Sequence, residues 1–151
     1  MIHPHPRLHA FLDSPIVRWL AVVVWMAIIF FLSSQPQLPS LPRPLWDMLL
    51  KKGAHFTAYA ILAALLFAAL GAGRRAWGWA WLLAVLYACT DEWHQSFVPG
   101  RHPSPSDVLI DAGGAAAALA IIWLIRRRQR AFQMRVANPS PTGRRSARAH
   151  D

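Results

Sequence analysis

The side chains singled out as able to bind an ion or move a proton fall at four places in the chain. They are Ser34 and Gln35; Lys52, His55 and Tyr59; Asp91, Glu92, His94 and Gln95; and Arg101, Asp107 and Asp111. Lys52, His55 and Tyr59 are three and four residues apart, so a helix places all three on one side. Asp91 with Gln95, and Asp107 with Asp111, repeat the four-residue spacing. An imidazole beside carboxyls suits acid–base work, with His55 or His94 as base and Asp91 or Glu92 orienting it or serving as the acid. Lys52 and Arg101 suit a phosphate or carboxylate. Two histidines and several carboxylates have the chemistry for zinc, but the compact His-Glu-x-x-His pattern is absent. No metal and no cofactor is therefore expected, and no nucleophile elbow, P-loop or dinucleotide fingerprint appears.

Several of these residues also have a structural reading. Ser33 and Ser34 are suited to ending a helix. Ser104, Pro105 and Asp107 fit a capping box with proline in the first helical position, which is the favoured reading of Asp107. Trp46, Trp77, Trp79, Trp81 and Trp93 read as interfacial belt or packing, and Lys51 as a flank that snorkels to water. Cys89 stands alone, so no intramolecular disulfide forms, and a lone thiol in an apolar run reads as packing. Asp111 and His55 resist such treatment. Asp within a membrane span costs at least about 2.5 kcal/mol on insertion scales, so it normally faces a partner or a watery cavity.

The elements that position these groups are apolar. Of 151 residues, 55% are hydrophobic and only 15% charged, which is too little polar surface for a soluble protein of this size. Four stretches approach the roughly 20 residues a membrane helix needs: Pro15 to Ser34, Gly53 to Ala72, Ala76 to about Gln95, and Ser106 to Ile125. The third is the weakest, because its last turn carries Asp91 and Glu92. Gly71 and Gly73 should end the second helix, and Arg74-Arg75 marks the tight turn after it. The proline-rich connections, Gln35 to Lys52 and Ser96 to Pro105, should be ordered turns. A cleaved signal peptide is disfavoured, because Phe31-Leu32-Ser33 places large groups where small ones are wanted. The expected fold class is all-α, an integral membrane protein whose four transmembrane helices form an antiparallel bundle. Small residues at Ala60, Ala64, Ala68 and Ala72, and at Ala112, Ala116 and Ala120 beside Gly113 and Gly114, predict close approach of the second and fourth helices.

Charge sets the orientation. With four spans, twelve of the 16 Lys and Arg residues fall on the side of the termini and the Arg74-Arg75 turn, and only Arg43, Lys51, Lys52 and Arg101 on the other. Both termini are then cytoplasmic and the four polar places face outward. Arg126, Arg127, Arg128 and Arg130 would meet anionic headgroups, each worth about 1 kcal/mol near the surface. Nucleic acid is not expected as a partner, because the basic residues form no folded module and lack interleaved aromatics. The expected divisions are a cytoplasmic segment over 1–14, a membrane domain over 15–128, and a basic tail over 129–151, disordered from Asn138 onward.

The strings FFLSSQ, KKGAHFTAYAIL and DEWHQSFVPGRHPSPSDVLIDAGG resemble the signature blocks of the VanZ-like family, small bacterial membrane proteins whose founder is linked to teicoplanin resistance. The resemblance runs from about Trp19 to Ile125. Carried over residue by residue, the family's characteristic polar positions are Ser34, Gln35, Lys52, His55, Tyr59, Asp91, Glu92, Gln95, Arg101, Asp107 and, with them, Gly114. Two positions depart from the family pattern: Lys51 stands where members often have an acid, and Asp111 where many have asparagine. If that acid matters, Lys52 needs another partner, Asp91 or Asp111. The resemblance implies a role in the cell envelope linked to resistance against lipid-tailed glycopeptides, and it brings no reaction with it.

Four readings of function stand. In the leading one, the outward cluster binds a lipid-linked cell-wall precursor, a lipoglycopeptide or a related polar group, with membrane lipids around it. In the second, the chain is a membrane-embedded enzyme on such a substrate. In the third, the charges hold the helices in register and a partner protein carries the function. Transport is the least attractive, with four spans and no evident repeat, although an oligomer could form a pathway.

Overall fold

Proline opens three of the four helices, at Pro15, Pro44 and Pro105, a position where its missing N–H would have no helical partner anyway. The computed structural model describes residues 14–36, 42–101 and 103–137. Their helices are α1 (Pro15–Ser33), α2 (Pro44–Ala69), α3 (Ala76–Gln95) and α4 (Pro105–Ala137), and the described residues contain no strand. The N-terminal segment with Arg7, the loop around Pro39 and the tail from Asn138 lie outside the described residues.

Two boundaries differ from expectation. α2 begins at Pro44 rather than Gly53, because Lys51 pairs with Asp47 one turn earlier, at 2.7 Å. That pair keeps the charged stretch helical, with Asp47 in the first turn, where the helix dipole favours an acid. α4 continues past Ile125, the expected end of the fourth span, and stays helical through the basic residues to Ala137. From Ala120 onward this helix forms a compact unit of its own, on which the Arg127 guanidinium lies 5.3 Å from the Trp123 ring.

The turn after α2 closes by backbone alone. Gly71 donates to the Ala68 carbonyl at 3.2 Å and Ala72 to that of Phe67 at 3.0 Å, the paired bonds of a Schellman motif. Left-handed φ falls at Gly71 and at Ala72, which takes the place expected of Gly73.

Arg18 of α1 donates to the Ala68 carbonyl and Trp25 to that of Ala58, while Tyr87 of α3 donates to the Met26 carbonyl of α1 at 2.7 Å. Phe67 stacks on Trp77 with ring centroids 4.2 Å apart, and Tyr59 meets Tyr87 further along the same pair of helices. The most deeply buried small-residue stripe is on α3, at Ala76, Ala80, Ala84 and Ala88. The expected stripe on α4 is misplaced: Asp111, Gly114, Ala115 and Leu119 are buried, whereas Ala116 and Ala120 are exposed. Close approach of α2 and α4 does occur, at Gly114. A Cβ there would lie 2.9 Å from the Phe56 carbonyl carbon and closer still to its oxygen.

α1, α2 and α4 are long and apolar enough to cross a membrane. α3 is not among them, its last turn being the polar one. The outer surface is greasy: Ile16 is 79% exposed, Leu109 73% and Phe31 65%. So much outward apolar surface suits lipid rather than water, and the chain has the make-up of an integral membrane protein. Cys89 is exposed rather than packed.

Candidate functional site

Three local devices bring the polar residues together. The first is the Val98–Arg101 turn, where Pro99 presets the corner, Gly100 takes φ +79° and Arg101 N–H bonds the Val98 carbonyl at 3.1 Å, as a type II turn requires. Arg101 is thereby aimed at the end of α1. It donates through Nε to the Gln35 carbonyl and through Nη2 to that of Leu32, both at 3.2 Å, satisfying carbonyls that the ending helix leaves open.

The second device is the start of α4. Ser104 Oγ accepts from Ser106 N–H at 3.3 Å, a weak N-cap bond. The acid that completes a capping box is not Asp107, which corrects the expected reading. Glu92 of α3 accepts from Ser104 N–H at 2.9 Å instead, leaving Asp107 to pair with Lys52. Lys52 therefore finds neither Asp91 nor Asp111 but the acid one turn closer to the start of α4.

The third device is the Gly114–Phe56 approach, which carries α2 and α4 past each other with facing side chains in register. One turn before it, His55 Nδ1 lies 3.6 Å from Asp111 Oδ1. Asp111 is fully buried, and neither of its oxygens has a hydrogen-bond partner.

Beside this pair lies an inner polar cluster. Asp91 Oδ2 accepts from Ser33 Oγ at 2.9 Å and from Gln95 Nε2 at 3.1 Å, whereas Asp91 Oδ1 and the buried Tyr59 hydroxyl have no partner. Ser33, read from the sequence as suited to ending a helix and left out of the expected site, sits four residues beyond Ile29 and eleven beyond Val22 on the buried face of α1. That spacing is a readable signal.

Lys51, Lys52, His55, Gln95, Arg101 and Asp107 line a pocket of about 440 Å³, with Asp47, Gly100 and the apolar Met48 and Ile110. Asp47 and Lys51 were not among the expected site residues, because the helix bearing them starts earlier than the sequence pattern indicates. Other expected members lie outside the pocket lining. Gln35 turns back to the Phe31 carbonyl. His94 stacks on Phe30 and its Nε2 lies 3.0 Å from Ser34 Oγ. Ser34 Oγ also donates to the Phe30 carbonyl at 2.7 Å, so His94 Nε2 is engaged at the end of α1 rather than in the pocket. Among the described residues no group of three or more His, Cys, Asp or Glu is arranged to hold a metal ion.

The arrangement is thus a cationic pocket whose histidine is backed by a buried acid, above a partly satisfied interior cluster. No curated protein and no solved structure matches the chain. The sequence profile of one family, VanZ/LLP1, matches residues 18–126, a range that contains every residue of the site. The chain belongs to the VanZ/LLP1 family.

Proposed function

We propose that the chain crosses the bacterial inner membrane four times in an antiparallel bundle with both termini in the cytoplasm. The pocket then lies at the outer surface and binds the anionic group of a lipid-linked or cell-wall-related envelope molecule. Such binding is the basis on which the chain would affect lipid-tailed glycopeptides of the teicoplanin type. α3 supplies the remaining crossing: its 20 residues reach about 30 Å at 1.5 Å each, and it meets α2 at Phe67–Trp77 and again at Tyr59–Tyr87. The excess of Lys and Arg on the side of the termini supports the orientation.

The observation that carries the binding reading is the composition of the pocket wall. Lys51, Lys52 and Arg101 present three cationic side chains beside His55, while Met48 and Ile110 offer an apolar flank. An anion bound there competes with Asp47 and Asp107 for the lysines, and an alkyl tail leaves along the apolar flank into lipid. The Lys52 and Arg101 side chains would hold the charged oxygens, Arg101 with guanidinium donors not spent on α1.

Affinity for farnesyl diphosphate, measured with the purified protein in nanodiscs, is the direct test. Lys52→Ala and Arg101→Ala should each weaken it about tenfold, equivalent to 1.4 kcal/mol, and added salt should weaken the wild type. Folded variants that bind as tightly as the wild type would remove the basis of this reading.

A further inference from the structure

We propose that His55 and Asp111 form an acid–base dyad in the pocket, in which His55 activates water for attack on the phosphorus of a lipid phosphate ester or anhydride. The proposal rests on the pocket reading above and adds a reaction to it. His55 is shared between two environments: its ring lines the pocket, and its Nδ1 faces the fully buried Asp111. Nε2, on the far side of the ring, is the nitrogen left for a ligand.

Asp111 differs from the other acids of the site. Asp47 pairs with Lys51, Asp107 with Lys52, Glu92 receives Ser104 N–H, and Asp91 receives Ser33 and Gln95. Among the described residues Asp111 receives no hydrogen bond, and the close cationic partner found for it is the imidazole at 3.6 Å. A carboxyl that served only to brace helices would be furnished with donors, as its neighbours are. Behind an imidazole, a buried carboxylate fixes the tautomer with hydrogen on Nδ1 and stabilises the imidazolium formed when Nε2 accepts a proton. The 3.6 Å separation is long for a hydrogen bond, as is usual before a ligand tightens a site.

The pocket lining also limits the reaction. Among the described residues it contains no serine, threonine or cysteine, and the attacking group proposed is water. With a diphosphate, the water oxygen bonds to the terminal phosphorus as the bond from that phosphorus to the bridging oxygen breaks. Inorganic phosphate and the lipid monophosphate leave, and the proton taken by His55 returns to solvent. With phosphatidate the bond from phosphorus to the glycerol oxygen breaks instead, and the proton held by His55 passes to that oxygen as the alcohol leaves. Lys51, Lys52 and Arg101 are placed to neutralise the charge on the phosphoryl oxygens.

The test uses the full chain in nanodiscs with farnesyl diphosphate and, separately, dioleoyl phosphatidate, measuring binding and phosphate release independently. Release should occur from at least one of the two and rise with pH as the imidazole loses its proton. His55→Gln should lower the rate at least about a hundredfold while affinity falls no more than a few-fold. Asp111 is a positioning residue: Asp111→Asn should slow release, alter the pH profile and shift the ring ¹⁵N signals of His55 away from the Nδ1–H tautomer, and Asp111→Glu should restore part of the rate. Binding with no phosphate release from either lipid overturns the dyad and leaves the pocket reading standing. Absence of binding overturns both.

Discussion

The two ends of α2 are held by different means. At Phe67 to Ala72 the chain is secured by a ring stack on Trp77 and by two backbone hydrogen bonds that close the turn locally. At Lys52 to Tyr59 it is secured by charged side chains from α4, more than 50 residues away in sequence. Among the described residues the first arrangement leaves no buried side-chain N or O atom without a partner. The second buries a carboxyl, half of another and a hydroxyl without partners, each a cost of about 1–3 kcal/mol. Helices that can be joined by packing at one end have no structural need for such expense at the other. The polar end therefore carries more than architecture requires, and that surplus is the physical argument for a site.

Substitutions at the two ends should separate these roles. The largest effect is expected at Gly114, where the Phe56 backbone cannot yield to a side chain. Gly114→Val should destabilise by about 3 kcal/mol or more and part Lys52 from Asp107 and His55 from Asp111, so that anion binding is lost along with thermal stability. Phe67→Ala tests the opposite end. Loss of its packing against Trp77 should lower stability by about 2–3 kcal/mol in detergent unfolding followed by tryptophan fluorescence, below the usual core value because lipid already solvates apolar groups. Its affinity for farnesyl diphosphate should be unchanged. A parallel loss of affinity would show that the ends are not independent. Ser33→Ala removes one of the two donors to Asp91 and should cost about 1.5–2 kcal/mol with affinity reduced less than threefold. The smallest effect is at Ala72, whose φ of +53° is unfavourable for a residue with a Cβ. Ala72→Gly should raise stability by about 1 kcal/mol with no functional change, as read by the unfolding midpoint.

Much of this was legible in the sequence because apolar length and four-residue spacings are local signals. The end of α3 at Gln95, the end of α1 within one residue of the expected Ser34, and the close approach of α2 and α4 followed from such signals, whereas the family was read from its motif strings. Partner choice was not legible. Asp107 beside Ser104 has the spacing of a capping box, and nothing local says that Glu92, twelve residues earlier, takes that role. His94 and His55 look equivalent as bases until the geometry gives one to Ser34 and Phe30 and the other to Asp111. The small-residue stripe was assigned to the wrong face of α4 because alanine recurs on several faces there, whereas burial follows the partner helix. The early start of α2 was hidden by Lys51 and Lys52, which read as the edge of a span until Asp47 is placed one turn before them.

The central claim is that the pocket end of the molecule faces outward. Single cysteines at Pro99, beside the pocket, and at Arg144, in the basic tail, can be introduced into a Cys89→Ser background and exposed to a membrane-impermeant maleimide. In intact spheroplasts the Pro99→Cys protein should be labelled at once and the Arg144→Cys protein only after permeabilisation. Equal labelling of both before permeabilisation, or labelling of Arg144→Cys alone, would contradict the account.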